Sequence, residues 1–173
     1  MIELVLGGTR SGKSRYAEQQ AIQSNKKVIY IATAEARDAE MKGRIDLHQH
    51  ARPNHWETVE EPIQLAMVIE QYNQQNTCLL VDCLTLWLSN ILFDKAGEIQ
   101  SSVFNNQTDA LFNVLSNFSG QILLVSNELG LGVIAMDKMT RRFVDEAGLL
   151  HQKVAALSDR VVLVTAGLPH VLK

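Results

Sequence analysis

Gly7-Gly8-Thr9-Arg10-Ser11-Gly12-Lys13-Ser14 stands between an apolar run, Ile2-Glu3-Leu4-Val5-Leu6, and a helical stretch, Arg15-Tyr16-Ala17-Glu18-Gln19-Gln20-Ala21. The pattern G-x-x-x-x-G-K-S between a strand and a helix is a phosphate-binding loop in its proper context. Glycines let backbone N–H groups converge on phosphate oxygens, and the helix N-terminus adds its positive dipole end. Lys13 reaches the β- and γ-phosphates, and the Ser14 hydroxyl is placed to ligate Mg²⁺. A glycine turn with a chance lysine would not explain both flanks. The reading is a chain that binds a nucleoside triphosphate.

Working outward, strand-like runs alternate with helical ones, which predicts an α/β fold with a parallel sheet. The predicted strands are 2–6, 27–32, 78–81, 121–125 and 160–165. They are short, apolar and rich in β-branched residues, as strands covered on both faces are. Helices are predicted over 14–24, 62–72, 84–93, 103–117 and 137–157. In the last, Met139, Phe143, Ala147, Leu150, Val154 and Leu157 recur at helical spacing and form an apolar stripe for core packing. Residues 95–107 are polar and read as a surface connection. With no linker or repeat, residues 1–173 form one P-loop domain, with a functional insertion at about 33–62.

Composition bounds the function. The chain has 173 residues, 46% apolar and 20% charged, within the range of a single globular domain. A formal charge of −3 leaves no basic footprint for nucleic acid. The N-terminus shows no basic leader with an apolar core, and no run approaches the roughly 18 apolar residues of a membrane helix. Cys78 and Cys83 lie in a hydrophobic stretch, at a spacing that fits neither zinc nor a disulfide framework. They read as buried thiols in a reducing, cytoplasmic setting.

Two further places carry chemistry. Asp82 closes the run Cys78-Leu79-Leu80-Val81, and is expected to end a buried strand beside the P-loop strand and hold Mg²⁺. The alternative is a cap on the following helix. The second place is Arg44-Ile45-Asp46-Leu47-His48-Gln49-His50-Ala51-Arg52-Pro53-Asn54-His55-Trp56. It has too little cysteine for a structural zinc site. It reads either as a solvated polar face or as a phosphate-handling site. In the second case the arginines pair with phosphate oxygens and a neutral imidazole attacks phosphorus. Glu57, Glu60 and Glu61 follow closely, placed to orient an imidazole or bind a ribose hydroxyl.

Taken together these motifs resemble the bifunctional adenosylcobinamide kinase / adenosylcobinamide-phosphate guanylyltransferase family of cobalamin biosynthesis. The resemblance runs nearly end to end. It rests on the loop with Arg15, on Tyr30-Ile31-Ala32-Thr33, and on Arg44-Ile45-x-x-His48 with Arg52-Pro53-x-x-Trp56-x-Thr58-x-Glu60. Asp82-Cys83-Leu84-Thr85-Leu86-Trp87 with Asn90, Asn127-Glu128-Leu129-Gly130-x-Gly132, and Arg142-Phe143-x-Asp145 with Gly148 complete it.

The resemblance implies a RecA-like P-loop fold, a corrinoid acceptor, and a homotrimer. It implies phosphorylation of the acceptor's hydroxyl by ATP or GTP, then transfer of GMP from GTP through a GMP–histidine intermediate. By alignment that histidine is His48. Lys13 would join it in catalysis, and Gly7, Gly8, Thr9, Arg10, Ser11, Gly12, Lys13 and Ser14 would cradle the triphosphate. Thr33, Ala34 and Glu35 would lie near the nucleotide. Gln49, His50, Ala51 and Arg52 would contact the guanine nucleotide, although His50 falls outside the motif. Glu60 or Glu61 would hold the guanosine, and Ser14 and Asp82 the magnesium. One departure stands out: after Gly132 the family commonly has a Val-Pro pair and an acidic residue, whereas Val133-Ile134-Ala135-Met136-Asp137 lacks the proline. Two competing readings are a P-loop kinase for another small alcohol, which leaves the histidine motif idle, and a nucleotide-dependent binding switch.

Overall fold

The structure, a computed structural model, describes residues 1–35, 43, 53 and 55–173. In chain order the elements are β1 (Ile2–Gly7), α1 (Lys13–Gln23), β2 (Lys27–Ala32), β3 (Glu57–Glu60), α2 (Leu65–Gln71) and β4 (Thr77–Asp82). There follow α3 (Leu84–Leu92), α4 (Ser101–Ser116), β5 (Gln121–Asn127), α5 (Lys138–Leu157), β6 (Arg160–Thr165) and β7 (Leu168–Val171). The strands make one sheet in the order β3-β2-β4-β5-β1-β6-β7. Every pairing is parallel except that of β6 with β7.

Residue alternation along these strands decides which layer each side chain joins. Leu4, Leu6, Ile29, Ile31, Leu79, Val81, Ile122 and Leu124 pack with α2, α3, α4 and α5 on one face. Val5, Val28, Tyr30, Leu80, Leu123, Val125 and Val164 point to the other, where Ala17 and Ala21 of α1 meet them. Both faces are therefore apolar, which is why the strands read as continuous hydrophobic runs. Parallel pairing brings the C-terminal ends of β1, β2, β4 and β5 to one edge. The chain leaves β1 for one face and β4 for the other, so that edge holds the crevice where α/β sheets bind ligands.

The structure departs from expectation in four places. β4 is not beside β1, because β5 lies between them. β3 has no counterpart among the predicted strands: Glu57-Thr58-Val59-Glu60 is polar and half-exposed, and it is a strand because it pairs with the edge of β2 from Ile29 to Ala32. β7 is also additional. It is an exposed edge strand where Pro169 is tolerated, joined to β6 by the two-residue turn Ala166-Gly167 with φ of +52° and +80°. Finally, the polar connection ends at Gln100, not 107. The Gln100 side chain donates to the carbonyls of Asn90 and Phe93, which anchors the chain there and starts α4 at Ser101.

Buried polar groups tie the layers together. Glu3 is fully buried in β1, accepts the Tyr16 hydroxyl proton at 2.9 Å, and lies 3.7 Å from Arg160 Nε of β6. Burial, together with that hydrogen bond, pushes the Tyr16 phenol up to about 12. Trp87, also fully buried, donates its indole N–H to the Ile63 carbonyl at 2.9 Å. Tyr16→Phe should leave the buried Glu3 carboxylate short of a donor and cost about 1–3 kcal/mol in urea unfolding. A change within roughly 0.5 kcal/mol, the range of an ordinary surface substitution, would contradict this role for the hydroxyl.

Candidate nucleotide site

The loop from Gly7 to Ser14 folds as its glycines require. A Cβ on Gly7 would stand 2.6 Å from the Val164 carbonyl oxygen, closer than real side chains come. Gly12 has φ of +94° and caps α1 without a side-chain hydrogen bond, and the first turn of α1 has no acidic residue. The helix thus presents first-turn N–H groups with no side-chain acceptor from its own cap, the condition for anion binding. Ser11 Oγ is buried and has no hydrogen-bond partner among the described residues. Behind the loop, the Gly167 N–H donates to the Ser11 carbonyl at 2.8 Å, so the β6–β7 turn props it from below.

Lys13 Nζ donates to the Gly8 carbonyl at 3.3 Å, folded back over the loop. Burial pulls its ammonium below the ordinary lysine range, and the negative charge of Asp82 partly offsets this. That coupling puts Asp82, the last residue of β4, at the same mouth as Lys13 even with β5 between their strands. Asp82 does not cap the next helix; the N-cap of α3 is Cys83, with no side-chain cap bond. Cys83 is instead held by Thr33, whose buried hydroxyl accepts the Cys83 N–H at 2.8 Å and donates to its carbonyl at 2.7 Å. The Asn90 amide donates to the Thr33 carbonyl at 2.9 Å. Cys78 and Cys83 are free, buried thiols, each raised to about 11 chiefly by burial.

Other expected site residues divide. Thr33, Ala34 and Glu35 follow directly from β2, at the same edge as Asp82. Glu60 is exposed at the end of β3. Glu61 serves the local backbone. Its N–H donates to the Ala32 carbonyl, and its Oε1 accepts the N–H groups of Ile63 and Gln64 just before α2. His48, Gln49, His50, Ala51 and Arg52 lie outside the described residues. The described groups contain no set of three or more His, Cys, Asp or Glu able to hold a metal. Nor, among the described residues, is any helix long and apolar enough to cross a membrane.

A buried polar group that motif reading left without a role lies at the end of β5. Ser126 Oγ is 2.7 Å from His151 Nε2 and 3.0 Å from Thr85 Oγ1, which accepts the Asn127 N–H at 2.7 Å. Glu128 follows, its N–H donating to the Gly7 carbonyl at 3.0 Å and its Oε2 lying 3.9 Å from His151 Nδ1. Beyond it the chain carries Leu131, Val133, Ile134 and Met136 almost fully into solvent. This includes the stretch that lacks the family's proline. Asp137 then accepts the Thr140 N–H at 2.7 Å and caps α5.

A P-loop opening onto the C-terminal edge of a largely parallel sheet, with helices on both faces, defines a RecA-like P-loop nucleotide-binding protein. Solved structures agree on the fold: the RadB recombinase superposes with a TM-score of 0.50 at 15% identity, covering 94% of this chain and 73% of that one. A prototypical ATPase from the type III secretion system of pathogenic bacteria gives 0.51 at 15%, covering 95% and 52%. The chain belongs to the cobinamide kinase / cobinamide phosphate guanyltransferase family, whose model matches residues 3–172. It is 49% identical to the bifunctional adenosylcobalamin biosynthesis protein CobP of Pseudomonas aeruginosa, over all of this chain and 98% of that protein. The bifunctional adenosylcobalamin biosynthesis protein CobU of Escherichia coli is 36% identical, over 97% of each. It is thus a member of a family of bifunctional enzymes, kinase and guanylyltransferase, of cobalamin biosynthesis.

Gly7→Ala tests the loop directly. The added methyl meets the Ser11 side chain and also the Val164 backbone carbonyl, which cannot rotate aside, so the loop must shift. ATP affinity by calorimetry should fall at least ~10-fold, about 1.4 kcal/mol. Unchanged affinity would show that the close approach to Val164 is not what shapes the site.

Proposed function

We propose that this enzyme phosphorylates the hydroxyl on the aminopropanol arm of adenosylcobinamide with ATP or GTP. It then transfers GMP from GTP to that phosphate, giving adenosylcobinamide-GDP and pyrophosphate. The observation that carries the reading is a P-loop whose Lys13 shares its mouth with the Asp82 charge, in a chain of this family over nearly its whole length.

In the first reaction the loop N–H groups and the α1 N-terminus bind the triphosphate, and Lys13 swings from the Gly8 carbonyl onto the β- and γ-phosphates. Ser14, in the first turn of α1, and Asp82 would hold Mg²⁺. One hydroxyl and one carboxylate suit an ion that arrives with its nucleotide and keeps phosphate and water ligands. When bound, it supplies positive charge at the phosphate oxygens. The acceptor oxygen forms a bond to the γ-phosphorus, and the bond to the β,γ-bridging oxygen breaks with its electron pair leaving on the diphosphate.

In the second reaction the neutral imidazole of His48 attacks the α-phosphorus of GTP and pyrophosphate leaves with the electron pair of the broken bond. The phosphate oxygen of the acceptor then attacks the same phosphorus and returns the imidazole. Support comes from the motif Arg44-Ile45-x-x-His48 and from where the chain leaves β2 ahead of it. Thr33, hydrogen-bonded to Cys83, starts that segment at the edge that carries Asp82. Gln49, His50, Ala51 and Arg52 would meet the guanine nucleotide, with Arg52 on phosphate. Glu60 or Glu61, which follow at the end of β3, would hold the guanosine.

Intact-protein mass spectrometry after incubation with GTP and Mg²⁺ tests the covalent step. A GMP-sized adduct that is acid-labile, base-stable and lost in His48→Ala is the expected result. If His48→Ala still transferred GMP at the normal rate, the intermediate would not be on His48. Protein that binds GTP without forming any adduct would favour a kinase for an alcohol with no nucleotidyl transfer.

A further inference from the structure

Glu128 lies in the Asn-Glu-x-Gly-x-Gly stretch, to which neither half of the proposed chemistry assigns a role. β5 runs between β1 and β4, so its C-terminal end stands between the P-loop and Asp82 along the ligand edge. Gly7 pairs with Asn127 in the sheet, and the Glu128 N–H donates to the Gly7 carbonyl, so Glu128 is fastened to the first residue of the loop. We propose that Glu128 is the catalytic base of the kinase step, taking the proton of the acceptor hydroxyl as its oxygen attacks the γ-phosphorus. The assignment rests on the kinase reading above.

Three observations support it. The carboxylate is half-buried, with about a fifth of its side chain open. Its Oε1 is fixed by the Gly130 N–H at 2.6 Å, which sets its direction. The wall behind it is rigid: Thr85, Ser126 and His151, from three elements distant in sequence, are linked by hydrogen bonds of 3.0 and 2.7 Å and pin the end of β5. Such support is what holds a reacting group to the geometry it needs. Burial draws His151 below the ordinary histidine range, against the pull of Glu128, so at neutral pH the ring beside the carboxylate is uncharged. Glu128 therefore faces a neutral imidazole there, not the partner of a full ion pair. The side chain leans towards α5, the face opposite α1, leaving the P-loop side to the nucleotide. The exposed apolar stretch from Leu131 to Met136 continues outward from this point, where a bulky acceptor would lie.

The balance is simple. The hydroxyl proton passes to a Glu128 oxygen, the acceptor oxygen bonds to phosphorus, and the diphosphate leaves with the electron pair. Glu128 then releases the proton to solvent.

Glu128→Gln is the decisive variant, because its amide oxygen still accepts the Gly130 N–H while the base is gone. With ATP, Mg²⁺ and adenosylcobinamide, phosphorylated acceptor should form about 10²–10⁴-fold more slowly, at unchanged ATP affinity and melting temperature. Glu128→Asp, which keeps a carboxylate but withdraws it, should fall between the two and also guards against misfolding of the glutamine variant. Wild-type turnover by Glu128→Gln would overturn the proposal. So would recovery of that variant at saturating Mg²⁺, which would make the residue a metal ligand, or an equal loss in the aspartate and glutamine variants. If the wild-type protein left the acceptor unphosphorylated, the kinase reading itself would fall, and this assignment with it.

Discussion

The site depends on how closely the P-loop backbone lies against the turn between β6 and β7. Gly7 has no room for a side chain beside the Val164 carbonyl, and Gly167 approaches both Gly12 and the Ser11 carbonyl. These contacts hold the loop in the shape that leaves the N-terminal N–H groups of α1 and Ser11 Oγ facing inward with no side-chain partner from the described residues. Polar groups kept unsatisfied in a fold cost stability, so their presence here is paid for by the nucleotide they would bind.

From that loop the sheet sets everything else by position. β1 supplies the P-loop, β4 Asp82, β2 Thr33 and the root of the histidine segment, and β5 Glu128. Parallel pairing brings all four ends to one edge, and short hydrogen bonds then fix them individually. Thr33 grips both backbone groups of Cys83, and Thr85, Ser126 and His151 brace the end of β5. The consequence is one edge at which the P-loop, Asp82, Thr33 and Glu128 meet from four different strands.

Much of this is legible without coordinates. The five apolar strands lie where hydrophobicity places them because burial on both faces demands it, and the P-loop announces itself by spacing. The stripe on α5 packs as expected through Ala147, Leu150 and Val154, while Leu157 is partly exposed. What escapes the sequence is long-range. β3 is a strand only because the edge of β2 accepts it, and Ala166-Gly167 is a weak turn signal followed by a proline. Strand order cannot be read from one strand, which is why Asp82 is expected beside β1 and is found one strand further away. Glu128 carries only a motif resemblance, since Thr85, Ser126 and His151 become neighbours through folding alone.

The most direct measurement is a time course of the corrinoid products formed from adenosylcobinamide, GTP and Mg²⁺, followed by chromatography and mass spectrometry. Adenosylcobinamide phosphate should rise first and then give way to the GDP conjugate, with pyrophosphate released in step with the second product. GTP consumption with the corrinoid unchanged, or phosphate that accumulates without ever gaining GMP, would contradict a single edge carrying out both transfers.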